Sequence, residues 1–193
     1  MNYNDFDKEK LIEMIKSKDN EIQKLNEERE KLKYYALTDV MTGLLNRRAG
    51  LELLNNEFQL TKELKGNLVV CFIDVDNLKI INDTFGHNEG DKLLISATEI
   101  IKCNIRKHDF VIRMGGDEFL VVFPRTTILE ADKIWNNICV NIDKINDKNN
   151  KYDINLSYGF YEYGVKCKND VNISELIMKA DKQMYYNKVK KWI

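Results

Sequence analysis

The chain has 193 residues, 44% of them hydrophobic, enough to bury one ordinary core plus an appended element. Thirty Lys and Arg stand against 31 Asp and Glu, so no global field draws it to a nucleic-acid polymer or an anionic membrane; affinity for phosphates must come from local placement. No apolar stretch approaches the roughly 18 residues of a membrane span, and the charged N-terminus is unlike a signal peptide. Cys71, Cys103, Cys139 and Cys167 include no close-spaced pair of the kind that binds zinc, and are expected to be buried, reduced thiols of a cytoplasmic protein.

Residues from about 5 to 36 are highly charged, lack Gly and Pro, and favour helix. A heptad places Lys8, Leu11, Ile15, Lys18, Ile22, Leu25, Arg29, Leu32 and Ala36 on one seam; six of these nine are apolar. A short coiled coil is one reading, with Lys18 and Arg29 each facing its own copy in a parallel dimer. A single amphipathic helix lying on its own domain is the other. The domain boundary is expected between segment 1–36 and segment 37–193. With no sensor-sized region before residue 37, control is expected to act through the short N-terminal segment, the product or expression.

The remainder reads as one mixed α/β (α+β) domain. A helix is expected at about 47–64, a strand at 67–75, a short helix at 77–84 and a longer one at about 90–106. A hairpin follows, formed by Phe110-Val111-Ile112 and Phe119-Leu120-Val121-Val122-Phe123 and closed by Pro124, the single proline. Then come a helix at about 127–147, a strand or hairpin at 152–163 and a last helix at 173–190. This order predicts a ferredoxin-like, antiparallel-containing sheet flanked by helices.

Two acidic clusters carry the chemistry. In Arg113-Met114-Gly115-Gly116-Asp117-Glu118-Phe119, a Gly-Gly pair between apolar runs predicts a tight turn in which glycine supplies positive φ angles. Two adjacent carboxylates there call for a cation, and a divalent metal is a common solution. A solvent-exposed hairpin tip is the plainer alternative. Upstream, the continuous apolar run Leu68-Val69-Val70-Cys71-Phe72-Ile73 has the signature of a strand buried on both faces, and it ends abruptly in Asp74. A cap for the following helix is the plainer reading of that acid. Together the clusters predict two strand-end acids meeting on adjacent strands around a hard cation.

From residue 37 onward the chain resembles the GGDEF-domain diguanylate cyclases, which condense two GTP into cyclic di-GMP and two pyrophosphates. Leu37-Thr38-Asp39-Val40-Met41-Thr42-Gly43-Leu44-Leu45-Asn46-Arg47-Arg48 resembles the family's opening signature, with Met41 in place of its usual leucine. Asp74 to Asp91, including Lys79, Asn82-Asp83, Gly86-His87 and Gly90-Asp91, matches the nucleotide-binding stretch. The turn follows, then Ser157 and Gly159, then Ala180-Asp181 through Lys188. Several spaced motifs in one order make the likeness specific.

The resemblance implies a palm-type sheet and Mg²⁺ or Mn²⁺ held by Asp74, the carbonyl of Val75 and Asp117, with Asp117 and Glu118 as catalytic residues. Gly115 and Gly116 leave room for the nucleotide. Asn82 and Asp91, with His87 nearby, take the guanine edge; helix capping and turn formation are the plainer roles for such residues. Leu78 stands where many relatives carry Phe and keeps the position apolar. Lys188 reaches the β- and γ-phosphates. Four residues after that lysine the family commonly has an arginine following a glycine, whereas this chain has Lys191-Trp192; Lys190 or Lys191 can substitute, without arginine's bidentate fork. Arg106 and Asp109 match the inhibitory site for the product, although an Arg-x-x-Asp alone is ordinarily a surface pair. A cyclic product made from two GTP implies a homodimer. The alternative is a catalytically weak receptor for cyclic di-GMP or GTP; a polymerase-like or adenylyl-cyclase activity lacks support from the guanine-site residues.

Overall fold

The computed structural model describes residues 7–148, 151–164 and 171–191; Cys167 and Trp192 lie outside them. The chain forms two units, Met1–Leu37 and Thr38–Ile193. The first contains one helix, α1 (Lys8–Leu37), uninterrupted by Gly or Pro. None of its residues is buried, and Ile15, Ile22, Leu25 and Leu32 of the heptad seam are exposed.

In the second unit the elements are β1 (Leu45–Asn46), α2 (Arg47–Glu63), β2 (Leu68–Val75), α3 (Leu78–Phe85), α4 (His87–Asn104), β3 (Phe110–Arg113), β4 (Glu118–Pro124), α5 (Ile128–Asn146), β5 (Leu156–Tyr163) and α6 (Ile173–Lys191). The strands form one sheet in the order β1-β3-β4-β2-β5. β2 is antiparallel to β4 and β5, β3 is antiparallel to β4, and β1 is parallel to β3. Without β1 this is the strand order of a ferredoxin-like fold, two interleaved βαβ units. The mixed fold expected from the order of elements is the one observed, with a long helix ahead of it.

Side chains alternate across a strand, so β2 divides the core by residue parity. Val69, Cys71, Ile73 and Val75 join Phe119, Val121 and Phe123 of β4 beneath α4 and α5. Leu68, Val70 and Phe72 join Leu120 and Val122 beneath Leu54 and Phe58 of α2 and Leu176, Ala180 and Met184 of α6. Burial on both faces is what the unbroken apolar run predicted. Each fully buried Leu, Val or Phe side chain is worth roughly 1.5–3 kcal/mol, so β2, with side chains in both layers, ties the two together.

Local signals set the helix ends. Asn46 caps α2 by accepting from Ala49 N at 3.0 Å. Thr127 and Glu130 form a capping box at α5, with Thr127 N donating to Glu130 Oε2 at 2.9 Å. Gly159 lets α6 lie directly on β5, because a Cβ there would strike the backbone of Ala180 and Met184. β1 was not expected from sequence, and residues 152–163 yield a single strand rather than a hairpin. The cysteines are also less uniform than expected: Cys71 is buried, Cys139 is partly buried and Cys103 is exposed.

Candidate active site

At the end of β2 the α6-facing parity turns polar. Asp74 continues the series Val70, Phe72, and it stands opposite Glu118 of β4 and Ser157 of β5 in the sheet register. One polar row thus crosses three strands at the sheet's end. The signature turn is tied to it by the backbone, since Val75 N donates to Asp117 O at 2.9 Å. Asp74 caps no helix: the residue ahead of α3 is Asn77, in the left-handed region at φ 64°.

α6 brings cations to this row. Lys188 Nζ donates to Asp74 Oδ1 at 2.6 Å and lies 3.9 Å from Asp76 Oδ1. Asp76 is buried and paired: the Ser157 hydroxyl is shared between its two oxygens at 2.8 and 3.0 Å, and Lys191 Nζ donates to Oδ2 at 3.3 Å. Lys191 also donates to Leu156 O at 2.6 Å. Lys191 is therefore anchored on the strand end. Sequence reading gave Asp76 no role, although the Asp-x-Asp spacing at a strand end puts both carboxylates on one side.

The cluster carries excess negative charge. Burial pushes the Asp74 carboxyl up; the Lys188 ammonium opposes this, while Asp117 and Asp76 add to it, and the net direction is upward. Burial alone would pull Lys188 down, but Asp74, Asp76 and Asp117 together leave it above its ordinary value. Glu118 is raised by burial and by Asp117, Asp181 and Asp74, with Arg47 opposing. Neighbouring carboxylates push all three groups upward, adding to burial at Asp74 and Glu118 and outweighing it at Lys188. Among the described residues no group of three or more acid, His or Cys side chains forms a complete metal cage. Asp74, the Val75 carbonyl and Asp117 are oxygen donors only, the donor chemistry that suits Mg²⁺ when phosphates and water supply the other ligands. The residues fit the metal.

The turn keeps its shape in a way the sequence did not suggest. Neither Gly115 nor Gly116 has a positive φ; among the described glycines only Gly43 and Gly86 do. Arg113 holds the turn, its Nε and Nη2 donating to the carbonyls of Gly115 at 3.2 Å and Gly116 at 2.8 Å. Its Nη1 donates to Asp39 Oδ1 at 2.8 Å, linking the opening signature to the turn. Space within the chain makes little demand either: a Cβ at Gly115 would lie 2.9 Å from Glu118 Oε2, the mobile end of a side chain, and at Gly116 it would meet nothing within 4 Å.

The other expected residues fall at two separate places. Asn82 on α3 lies against α4 so closely that a Cβ on Gly90 would collide with its Oδ1; Asp91 is the next residue, and His87 opens α4 on the surface. Arg106 and Asp109 lie beyond the far end of α4, a helix of 18 residues and so about 27 Å long. Asp109 is buried and accepts from Arg106 N at 2.7 Å, which closes the loop between α4 and β3. The hydrogen bond comes from the Arg106 backbone, and the Arg106 guanidinium acts on Asp109 only through its charge.

A family model described as "Diguanylate cyclase, GGDEF domain" matches residues 36–191. The chain is 42% identical over 112 residues to diguanylate cyclase DgcP of Escherichia coli (strain K12), covering 58% of this chain and 33% of that protein. It is 31% identical over 157 residues to the uncharacterized protein YtrP of Bacillus subtilis (strain 168), covering 81% and 25%. The chain thus spans only a quarter to a third of the length of these two relatives. Among solved structures, the coiled coil and GGDEF domain of DgcB from Caulobacter crescentus in complex with c-di-GMP superposes with a TM-score of 0.82 at 25% identity, over 93% of this chain and 95% of that one. The active GGEEF domain of a diguanylate cyclase from Vibrio cholerae gives 0.70 at 28% identity, over 76% and 92%.

Proposed function

The chain belongs to the GGDEF family of diguanylate cyclases, and on that premise we propose that it condenses two GTP into cyclic di-GMP as a homodimer, with release of two pyrophosphates. The observation that carries this reading is the polar row of Asp74, Glu118 and Ser157, joined to Asp117 through the Val75 N–H. Asp74, the Val75 carbonyl and Asp117 would hold Mg²⁺ or Mn²⁺. A bound divalent ion lowers the pKa of an attacking hydroxyl and neutralises phosphate charge.

The chain's own residues supply the rest. Glu118, its carboxyl raised by burial and neighbouring acids, is suited to accept the proton of the attacking 3′-hydroxyl. Lys188 takes the β- and γ-phosphates, and Gly115 and Gly116 leave the turn open beside them. Asn82 and Asp91 read the guanine edge with His87 at the rim, so that a base unable to pair with them is rejected. Each protomer holds one GTP, so two sites must face each other. Product binds at Arg106, whose side chain is exposed, and Asp109 holds the loop that presents it.

Incubating the purified chain with nucleotide and Mg²⁺ and separating the products tests the whole reading. GTP is expected to be cyclised and ATP to be left intact; EDTA, Asp74→Ala or Asp117→Ala is expected to abolish turnover. Added cyclic di-GMP is expected to slow the unmodified chain and to spare Arg106→Ala. Near-normal turnover in either aspartate variant would remove the metal assignment. Equal use of ATP would remove the guanine site, and unchanged inhibition in Arg106→Ala would remove the product site. A chain that binds cyclic di-GMP or GTP without turnover is the receptor alternative.

A further inference from the structure

Lys188 stands on the carboxylate that the proposed function gives to the metal. Its Nζ is 2.6 Å from Asp74 Oδ1, and an ammonium and a divalent cation cannot share one carboxylate oxygen without strong mutual repulsion. Something must therefore move before the cation binds there. The surrounding contacts decide what. Asp76 is held by Ser157 and Lys191, its side chain only 1% exposed, and stripping a cation from so buried a carboxylate is strongly unfavourable. The Lys188 and Asp74 side chains are 33% and 13% exposed, and the lysine's flexible stem lets its head swing away without moving α6.

We propose that Lys188 is the resident counter-charge of Asp74, exchanged for the divalent cation when a nucleoside triphosphate arrives to take its ammonium. This deepens the reading above and rests on it, since it needs Asp74 as a metal ligand and Lys188 as a phosphate contact. Without nucleotide, the cation must displace Lys188 into water and leave it beside a divalent charge. With nucleotide, Lys188 exchanges a carboxylate for phosphate oxygens while staying near Asp76, already 3.9 Å away. Cation and nucleotide then bind cooperatively, each strengthening the other by the same factor. Lys191, fixed on Asp76 and the Leu156 carbonyl, keeps the end of α6 in place during the exchange.

The exchange makes Lys188→Met affect the two ligands in opposite directions. Binding of Mn²⁺ to the full chain, followed by the electron paramagnetic resonance of free Mn²⁺, is measured with and without a non-hydrolysable GTP analogue. Lys188→Met is expected to bind Mn²⁺ alone at least about tenfold more tightly, the lower end of what one adjacent charge does to an ionic equilibrium. The factor by which the analogue tightens Mn²⁺ is expected to shrink, and adding Asp74→Asn is expected to cancel the gain. Lys188→Gln serves as a second neutral variant of different shape. If both neutral variants bind Mn²⁺ alone no more tightly than the unmodified chain, while Asp74→Asn still weakens Mn²⁺ in the presence of the analogue, the exchange is overturned and the metal assignment stands. If Asp74→Asn has no effect with the analogue present, the metal assignment falls and the exchange falls with it.

Discussion

The Asp39 carboxylate accepts from Thr42 N at 2.9 Å, Thr42 Oγ1 at 2.7 Å and Arg113 Nη1 at 2.8 Å, and through Arg113 it bears on the shape of the signature turn. Burial pushes this carboxyl up, but the bonds from Arg113 and Thr42 outweigh it and leave it below its ordinary value. A carboxyl depressed in the folded state contributes stability above its unfolded value and loses it as pH falls through the folded one. Asp39→Asn is therefore expected to be less stable at neutral pH by about 2 kcal/mol, the order for losing charge-assisted hydrogen bonds. The gap should close as pH drops below about 4, the ordinary value for Asp. Urea unfolding at several pH values checks this, and a gap independent of pH would show that the charge is not what matters. None of this was legible in the sequence, where Arg113 and Asp39 are 74 residues apart and each looks like an ordinary motif residue.

Among the elements, α6 depends most on one position of its neighbour. An added Cβ at Gly159 of β5 would drive into the backbone of Ala180 and Met184, groups that cannot rotate aside. Gly159→Ala is expected to cost about 1–3 kcal/mol of stability and to lower turnover by displacing Lys188. Gly66→Ala, whose Cβ would meet nothing within 4 Å, is the neutral comparison in thermal unfolding. Equal melting temperatures would show that α6 has room to shift. The long elements were readable because their apolar spacing extends over many residues: α2, β2, α5 and α6 begin and end within two residues of expectation. β1 was not, since two residues carry no period. The turn departs from expectation because its shape comes from the Arg113 side chain, which bonds the carbonyls of Gly115 and Gly116, and not from positive φ at the glycines. The Asp76–Ser157–Lys191 network was hidden for a different reason: its members meet only after β5 pairs with β2 and α6 folds back over both.

For the whole molecule, the proposed function calls for two copies of the site, and α1 is the element we propose for the pairing. Ile22 and Leu25 are 56% and 58% exposed in the single chain, an unsatisfied seam of the kind a second helix covers. Pairing would hold the two sites at an effective concentration in roughly the millimolar range. Ile22→Glu with Leu25→Glu is expected to yield monomers by sedimentation. Nucleotide binding by each domain should be nearly unchanged, while specific activity falls and becomes steeply dependent on protein concentration. Full activity from dilute monomers would assign α1 to another contact. β2 has a consequence of its own. Six consecutive apolar residues, Leu68 to Ile73, fit either layer equally well, so they leave the strand's alignment with β4 and β5 degenerate during folding. Asp74 would remove the degeneracy, because a slip of one residue would turn its carboxylate into the apolar layer that holds Phe119 and Val121, where an unpaired charge is strongly disfavoured. The acid that the proposed function gives to the metal would thus also select the register. Asp74→Val should refold with an added slow phase, from chains escaping the slipped alignment, that Asp74→Asn does not show.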